Sequence, residues 1–141
     1  MSDDFDLQRF VDAQEAAGTY AQALRELRGG RKRSHWIWFV FPQIAGLGFS
    51  QTSQHFAISG LAEARAYLAH PTLGARLVEC AEVLLELQED DAERLFGSVD
   101  AQKLQSSMTL FGAADAEQPA FHGVLDKFFA GQPDSGTTSR L

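Results

Sequence analysis

Five residues, Leu73, Leu77, Cys80, Leu84 and Leu87, recur at spacings of 4, 3, 4 and 3, and that rhythm constrains the fold more than any other feature of the chain. An α-helix takes 3.6 residues per turn, so the five form one apolar stripe, while Glu79, Glu82 and Glu86 fall mostly on other faces. Pro71 suits the first turn of this helix and His70 its N-terminal boundary. No two stretches alternate apolar and polar residues well enough to pair as strands. The stripe must therefore be buried against other helices, which predicts an all-α protein with this helix at its centre.

The flanking segments fit that expectation. Leu7, Phe10, Val11 and Gln14 share a helical face that Asp6 can cap, and Gly18 ends the segment. Thr19 can cap a second helix carrying Tyr20, Leu24 and Leu27, which Gly29 and Gly30 stop. The aromatic stretch from Ser34 to Pro42 reads as a short buried helix capped by Ser34, or as an extended core segment. A glycine-punctuated loop, 43–50, follows it. After a turn over 52–58, Ser59 can cap a helix through Leu61, Ala64, Tyr67 and Leu68. A turn over 94–97 leads to helices over 100–111 and 119–129. The expected architecture is a single compact domain over 1–130 with about six to eight helices in non-bundle packing. Residues 131–141, rich in turn formers, are expected to form a flexible tail.

A chain of 141 residues, 45% of them apolar, can bury a core without a metal or a disulfide. Cys80 has no cysteine partner and reads as a small buried hydrophobe. The acidic start lacks the basic and apolar regions of a signal peptide, so the expected address is cytoplasmic, and no apolar run is long enough for a membrane span. A net charge of −7 disfavours nucleic acid and anionic membranes as partners. The cations are nevertheless segregated: Arg25, Arg28, Arg31, Lys32 and Arg33 lie within nine residues, whereas 79–93 is purely acidic in charge.

Three stretches carry residues with chemical potential. In 30–43, cations stand beside His35, Trp36, Trp38 and Gln43, where an indole can stack on a base and an amide can read its polar edge. In 46–50, glycines permit close backbone approach to a ligand and Ser50 offers a hydroxyl, although neither common phosphate-loop pattern is present. In 100–108, a helix would bring Asp100, Lys103, Ser106 and Ser107 to one side, a conceivable Ser/Lys arrangement that helix caps and interhelical hydrogen bonds explain more simply. No metal-ligand spacing occurs, and neither a metal nor a cofactor is expected.

Several of these motifs stand in a distinctive order: Phe5-Asp-Leu-x-Arg9-Phe-Val-x-Ala-Gln14, Ser34 to Gln43, Gly46-Leu-Gly-x-Ser50, His70-Pro-x-Leu-Gly-x-Arg-Leu77 and Lys103 to Phe111. Together they resemble the bacterial family of domain of unknown function 1810, over about residues 5–130. The resemblance implies a compact, mainly helical cytoplasmic protein without an established activity. The pieces around His70, Leu95-Phe-Gly97 and Lys103 to Met108 are also similar, in a different order, to the NADAR families linked to NAD and ADP-ribose metabolism.

The expected function is binding or processing of a phosphorylated or nucleotide-derived, ADP-ribose-like small molecule. Arg9 and Lys103 would hold the anion, Trp36 and Trp38 would stack, and Gln14, Gln43, Ser50 and Ser107 would complete the site. If the protein is an enzyme, the expectation is a hydrolase of such a derivative with His35 or Asp100 as acid or base. The alternative is a non-catalytic protein interaction module using the aromatic segment or the acidic helix.

Overall fold

A computed structural model describes residues 4–141. Six helices have eight or more residues: α1 (Gln8–Glu15), α2 (Thr19–Arg28), α5 (Leu61–Ala69), α6 (Pro71–Glu86), α8 (Ser98–Ala114) and α9 (Pro119–Phe129). Four short ones, α3 (Ile37–Val40), α4 (Gln51–His55), α7 (Ala92–Phe96) and α10 (Ser135–Thr138), make the connections. No strand forms among the described residues, only a bridge between Ile44 and Ile58. No described helix is long and apolar enough to cross a membrane.

The periodic helix is central. Helix α6 buries Leu73, Leu77, Cys80 and Leu84 and packs against α9, α5, α2 and α1. Its stripe ends at the C-cap residue Leu87, and the His70 imidazole Nδ1 accepts from the amides of Thr72 and Leu73 at its start. Gly74 is required where α6 meets the end of α5, since a Cβ there would run into the Leu68 carbonyl. Helix α8 shares the centre: it packs against α9, α5, α7, α10 and α3 and buries a run from Ser106 to Gly112 on all its faces. A helix apolar or small all round is a core helix rather than an amphipathic surface one. Burial pushes the Cys80 thiol up to about 12, so this cysteine packs as a hydrophobe.

Four helix starts differ from the sequence reading. Asp6 adopts a positive φ and does not cap α1, and the hydroxyl of Thr19 bonds back to the Ala16 carbonyl rather than capping α2. Ser59 is drawn away from the start of α5 by the Glu63 carboxylate, which accepts from its amide and its hydroxyl. Ser34 does not cap α3, because its hydroxyl donates to Glu26 at 2.6 Å. In the last two cases an anionic acceptor, which makes stronger hydrogen bonds than a neutral one, takes the group that would have capped the helix.

Glu26 organises this whole region. Its carboxylate, at the end of α2, accepts from the amides of Arg33 and Ser34, the Ser34 hydroxyl, the Trp36 indole and the Gln22 amide. The chain from Gly29 to Trp36 is thereby folded back on α2, and Trp36 enters the core, where it meets Phe41 and Phe96. The C-terminal segment is also tied down by specific bonds. Asp134 caps α10, its amide donates to Thr109 on α8, Gln105 donates to the Gln132 carbonyl, and Thr137 is fully buried.

Burial alone would raise the Glu26 pKa, but the hydrogen bonds from Ser34, Arg33 and Gln22 outweigh it and hold the carboxyl at about 2, below its ordinary 4.5. A carboxyl depressed on folding contributes its stability above its unfolded pKa and loses it as the pH falls. Glu26→Gln is therefore expected to cost about 3 kcal/mol at neutral pH. The difference from the parent should shrink as the pH drops from 4.5 toward about 2, which chemical denaturation across that range measures.

Candidate functional site

The loop over 43–50 is held at both ends. Its start pairs with the α4–α5 connection through Ile58 N to Gln43 O and Ala45 N to Ile58 O, both at 2.8 Å. Its end is the N-cap of α4, where the Ser50 hydroxyl accepts from the Ser53 amide. The glycines between are needed for close packing. Gly46 has φ +99, and a Cβ there would lie 2.8 Å from the Arg140 Nε; at Gly48 a Cβ would meet the Ser53 Oγ at 2.5 Å. The sequence reading reserved this glycine approach for a ligand, but a side chain of the C-terminal segment occupies it at Gly46.

This loop forms one wall of a groove of about 620 Å³, within the size range of small-molecule sites. The loop side contributes Trp38, Gln43, Leu47, Phe49, Ser50 and Ser53. The opposite side is the first half of α8, where Val99, Gln102, Lys103 and Ser106 recur at helical spacing. Residues Asp134 to Gly136 of the C-terminal segment close one end. A smaller cavity of about 130 Å³ shares Trp38, Gln43, Gly48 and Ser53 and reaches Ile44 and Gln54. Phe49 is 87% exposed and Val99 67% exposed, so the groove has an apolar rim without a partner in the fold.

Lys103 is the only cation among the residues lining the groove. It stands 3.4 Å from Asp100, whose other oxygen is 2.8 Å from Lys32. Lys32 is nearly buried, donates to the Ser34 carbonyl and lies 5.0 Å from the Trp36 ring centre. Asp100 therefore neutralises two lysines at once, which leaves a net positive charge in the cluster at Lys103. The Asp134 carboxylate also lines the groove, and its Oδ2 accepts from the amide and hydroxyl of Thr137.

Of the residues singled out from sequence, the groove gathers Trp38, Gln43, Ser50 and Lys103. The others lie elsewhere. Arg9, expected to hold an anion, has all five N–H donors engaged: the carbonyls of Phe5, Asp6, His55 and Ala57, and the Glu63 carboxylate at 2.8 Å. It joins α1 to α5 and has no donor left for a ligand. Gln14 is buried between the Phe39 carbonyl, Tyr67 and Arg76. Trp36 and Phe41 are fully buried, so the aromatic segment presents neither as a surface patch. His35 is exposed outside the groove lining, and Asp100 sits behind Lys103 rather than on the wall. Ser107 is fully buried, and its hydroxyl has no hydrogen-bond partner among the described residues.

Sequence reasoning placed Ser106 beside Lys103 but missed Phe49, Val99 and Gln102. The signal was present for α8, since 99, 102, 103 and 106 are one face of a helix whose neighbouring positions 104 and 108 carry the apolar stripe. For Phe49 it was a large apolar residue set between Gly48 and Ser50, where no core can be reached.

The fold and the groove together define an all-α domain with a small-molecule-sized groove between a glycine loop, a core helix and its own C-terminal segment. The chain belongs to the family described as "Protein of unknown function (DUF1810)", whose model matches residues 4–141. It is similar in structure to the "conserved hypothetical protein Rv1873 from Mycobacterium tuberculosis", solved at 1.38 Å, with a TM-score of 0.95 and 47% sequence identity over 99% of this chain and 98% of that one. No match was found among the curated proteins. The similarity to the NADAR families is not borne out, since the family match runs through the whole described chain in its own order.

Ser107 gives a test of the core reading. Replacing it with alanine removes a buried hydroxyl without a partner and improves helix propensity, so Ser107→Ala should be about 1 kcal/mol more stable than the parent. A loss of stability of that size in thermal denaturation would show that the hydroxyl has a partner.

Proposed function

We propose that the protein binds a small molecule in this groove, and that the ligand combines a planar polar ring with one anionic group, as a nucleoside monophosphate does. The observation that carries the reading is convergence. Trp38, Gln43 and Ser50 come from a stretch that lies more than fifty residues before Lys103, and core packing does not require them to meet. They stand around a space of about 620 Å³.

The roles follow from the chemistry of the walls. The Trp38 indole and the Phe49 ring provide faces for stacking, and Gln43 and Gln102 offer amides that both donate and accept. Lys103 supplies the positive charge, softened by Asp100 and by the Asp134 carboxylate at the end of the groove, so one phosphate or carboxylate is matched better than several. Binding rather than hydrolysis is the reading the groove supports, because neither His35 nor Asp100 is among its lining residues. The exposed Phe49 and Val99 also fit the alternative, a protein partner inserting an apolar side chain, which would bury the same rim.

Thermal denaturation against nucleosides, nucleoside monophosphates and sugar phosphates tests the proposal. A ligand at about a hundred times its Kd adds roughly 2.7 kcal/mol, a rise of roughly 5–10 °C for a domain of this size. The rise is expected with nucleoside monophosphates, reduced with the parent nucleosides and lost in Lys103→Met. Phe49→Ala should weaken it while leaving the stability of the unliganded protein within about 0.5 kcal/mol of the parent. No rise with any of the three classes would overturn the ligand reading.

A further inference from the structure

The twelve lysines and arginines divide sharply by what they touch. Arg9, Lys32, Arg76, Arg94 and Lys103 each stand within salt-bridge distance of a carboxylate. Arg65, Lys127 and Arg140 bond backbone carbonyls at helix ends and in the glycine loop. The remaining four, Arg25, Arg28, Arg31 and Arg33, are all exposed, and none meets a carboxylate among the described residues. They lie within nine positions of a chain that carries 19 acidic residues. The acidic residue among them, Glu26, is turned inward and fully occupied.

Their grouping in space is imposed by the same carboxylate. Arg25 and Arg28 are one turn apart in the last turn of α2. The amide of Arg31 donates to the Glu26 carbonyl and that of Arg33 to the Glu26 carboxylate, so residues 31–33 are folded back beside that turn. Lys32, between them, points inward to Asp100, which leaves Arg31 and Arg33 outward. The partial negative charge at the end of α2 accounts for Arg25 and Arg28. Arg31 and Arg33 lie beyond the helix, and no carboxylate among the described residues pairs with either.

We propose that this arginine patch docks an acidic segment of a partner protein. The arginines line neither the groove nor the cavities around it, so the surface fits a macromolecule rather than an enclosed small ligand. Trp36, the aromatic residue nearest to them in sequence, is buried and offers no platform on which nucleic-acid bases could stack. The net charge of −7 further opposes a long, uniformly charged nucleic acid, which would extend past four cations onto an acidic surface. A short run of Asp and Glu meets only the patch. Guanidinium groups bind such carboxylates in paired hydrogen bonds, and the contact would be steered by charge and weakened by salt.

The test uses the full chain labelled with ¹⁵N and titrated with a peptide of about six glutamates at low salt, with a lysine peptide and a DNA duplex of about 12 base pairs as comparisons. The glutamate peptide is expected to shift the amides of residues 25–35 and to bind at least about tenfold more weakly in 200 mM salt than in 20 mM. The shifts should vanish in the variant Arg25→Gln, Arg28→Gln, Arg31→Gln, Arg33→Gln, whose amide spectrum should otherwise match the parent because all four side chains are exposed. Absence of shifts at 25–35, or their persistence in that variant, would overturn the proposal. Tighter binding of the duplex at the same residues would overturn it in favour of nucleic acid.

Discussion

A single carboxylate at the end of α2 determines how the aromatic segment enters the protein. Glu26 receives hydrogen bonds from five donors contributed by Gln22, Arg33, Ser34 and Trp36, and its cost of burial is met by those bonds rather than by a cation. Without that acceptor the amides of Arg33 and Ser34 and the indole of Trp36 would be left unpaired at the edge of the core. With it, three consequences follow from one interaction: Trp36 is seated against Phe41 and Phe96, Lys32 reaches Asp100, and the arginines on either side of Lys32 face solvent.

A buried ion pair performs a similar task between α1 and α5. Arg9 and Glu63 form a nearly buried ion pair in which each partner also satisfies neighbouring backbone or hydroxyl groups. Such a pair fixes geometry more than it adds stability, because its attraction is offset by desolvation. It holds α1, the α4–α5 connection and α5 in register, and that connection is where the glycine loop pairs through Ile58. The groove thus stands between two rigidly bonded regions, with its walls supplied by the segments that leave them.

The all-α class, the central helix and the span of α9 were legible because burial imposes a 3.6-residue period that survives in the order of apolar residues. The caps were less legible: Ser34 and Ser59 have the right chemistry for an N-cap, yet distant carboxylates compete for the same hydroxyls. The site was half legible for a related reason. Residues such as Arg9, Gln14 and Trp36 carry the same functional groups whether they face a ligand or hold the core together, and sequence spacing does not distinguish the two. Phe49 escaped because a single exposed apolar residue in a loop leaves no periodic trace, whereas Val99 shared a helical face with Lys103 that could have been read.

The glycine loop and the C-terminal segment are interlocked at two points. Arg140 fills the space that a Cβ at Gly46 would need, and Leu47 packs where a Cβ at Gly136 would come within 3.1 Å of it. Each segment is therefore part of the other's steric environment, although about ninety residues separate them in sequence. In evolutionary terms the two are not free to drift as independent surface loops. Gly46 is held to glycine twice over, by its positive φ and by Arg140, so a change in the segment around α10 would relax only the second of the two constraints.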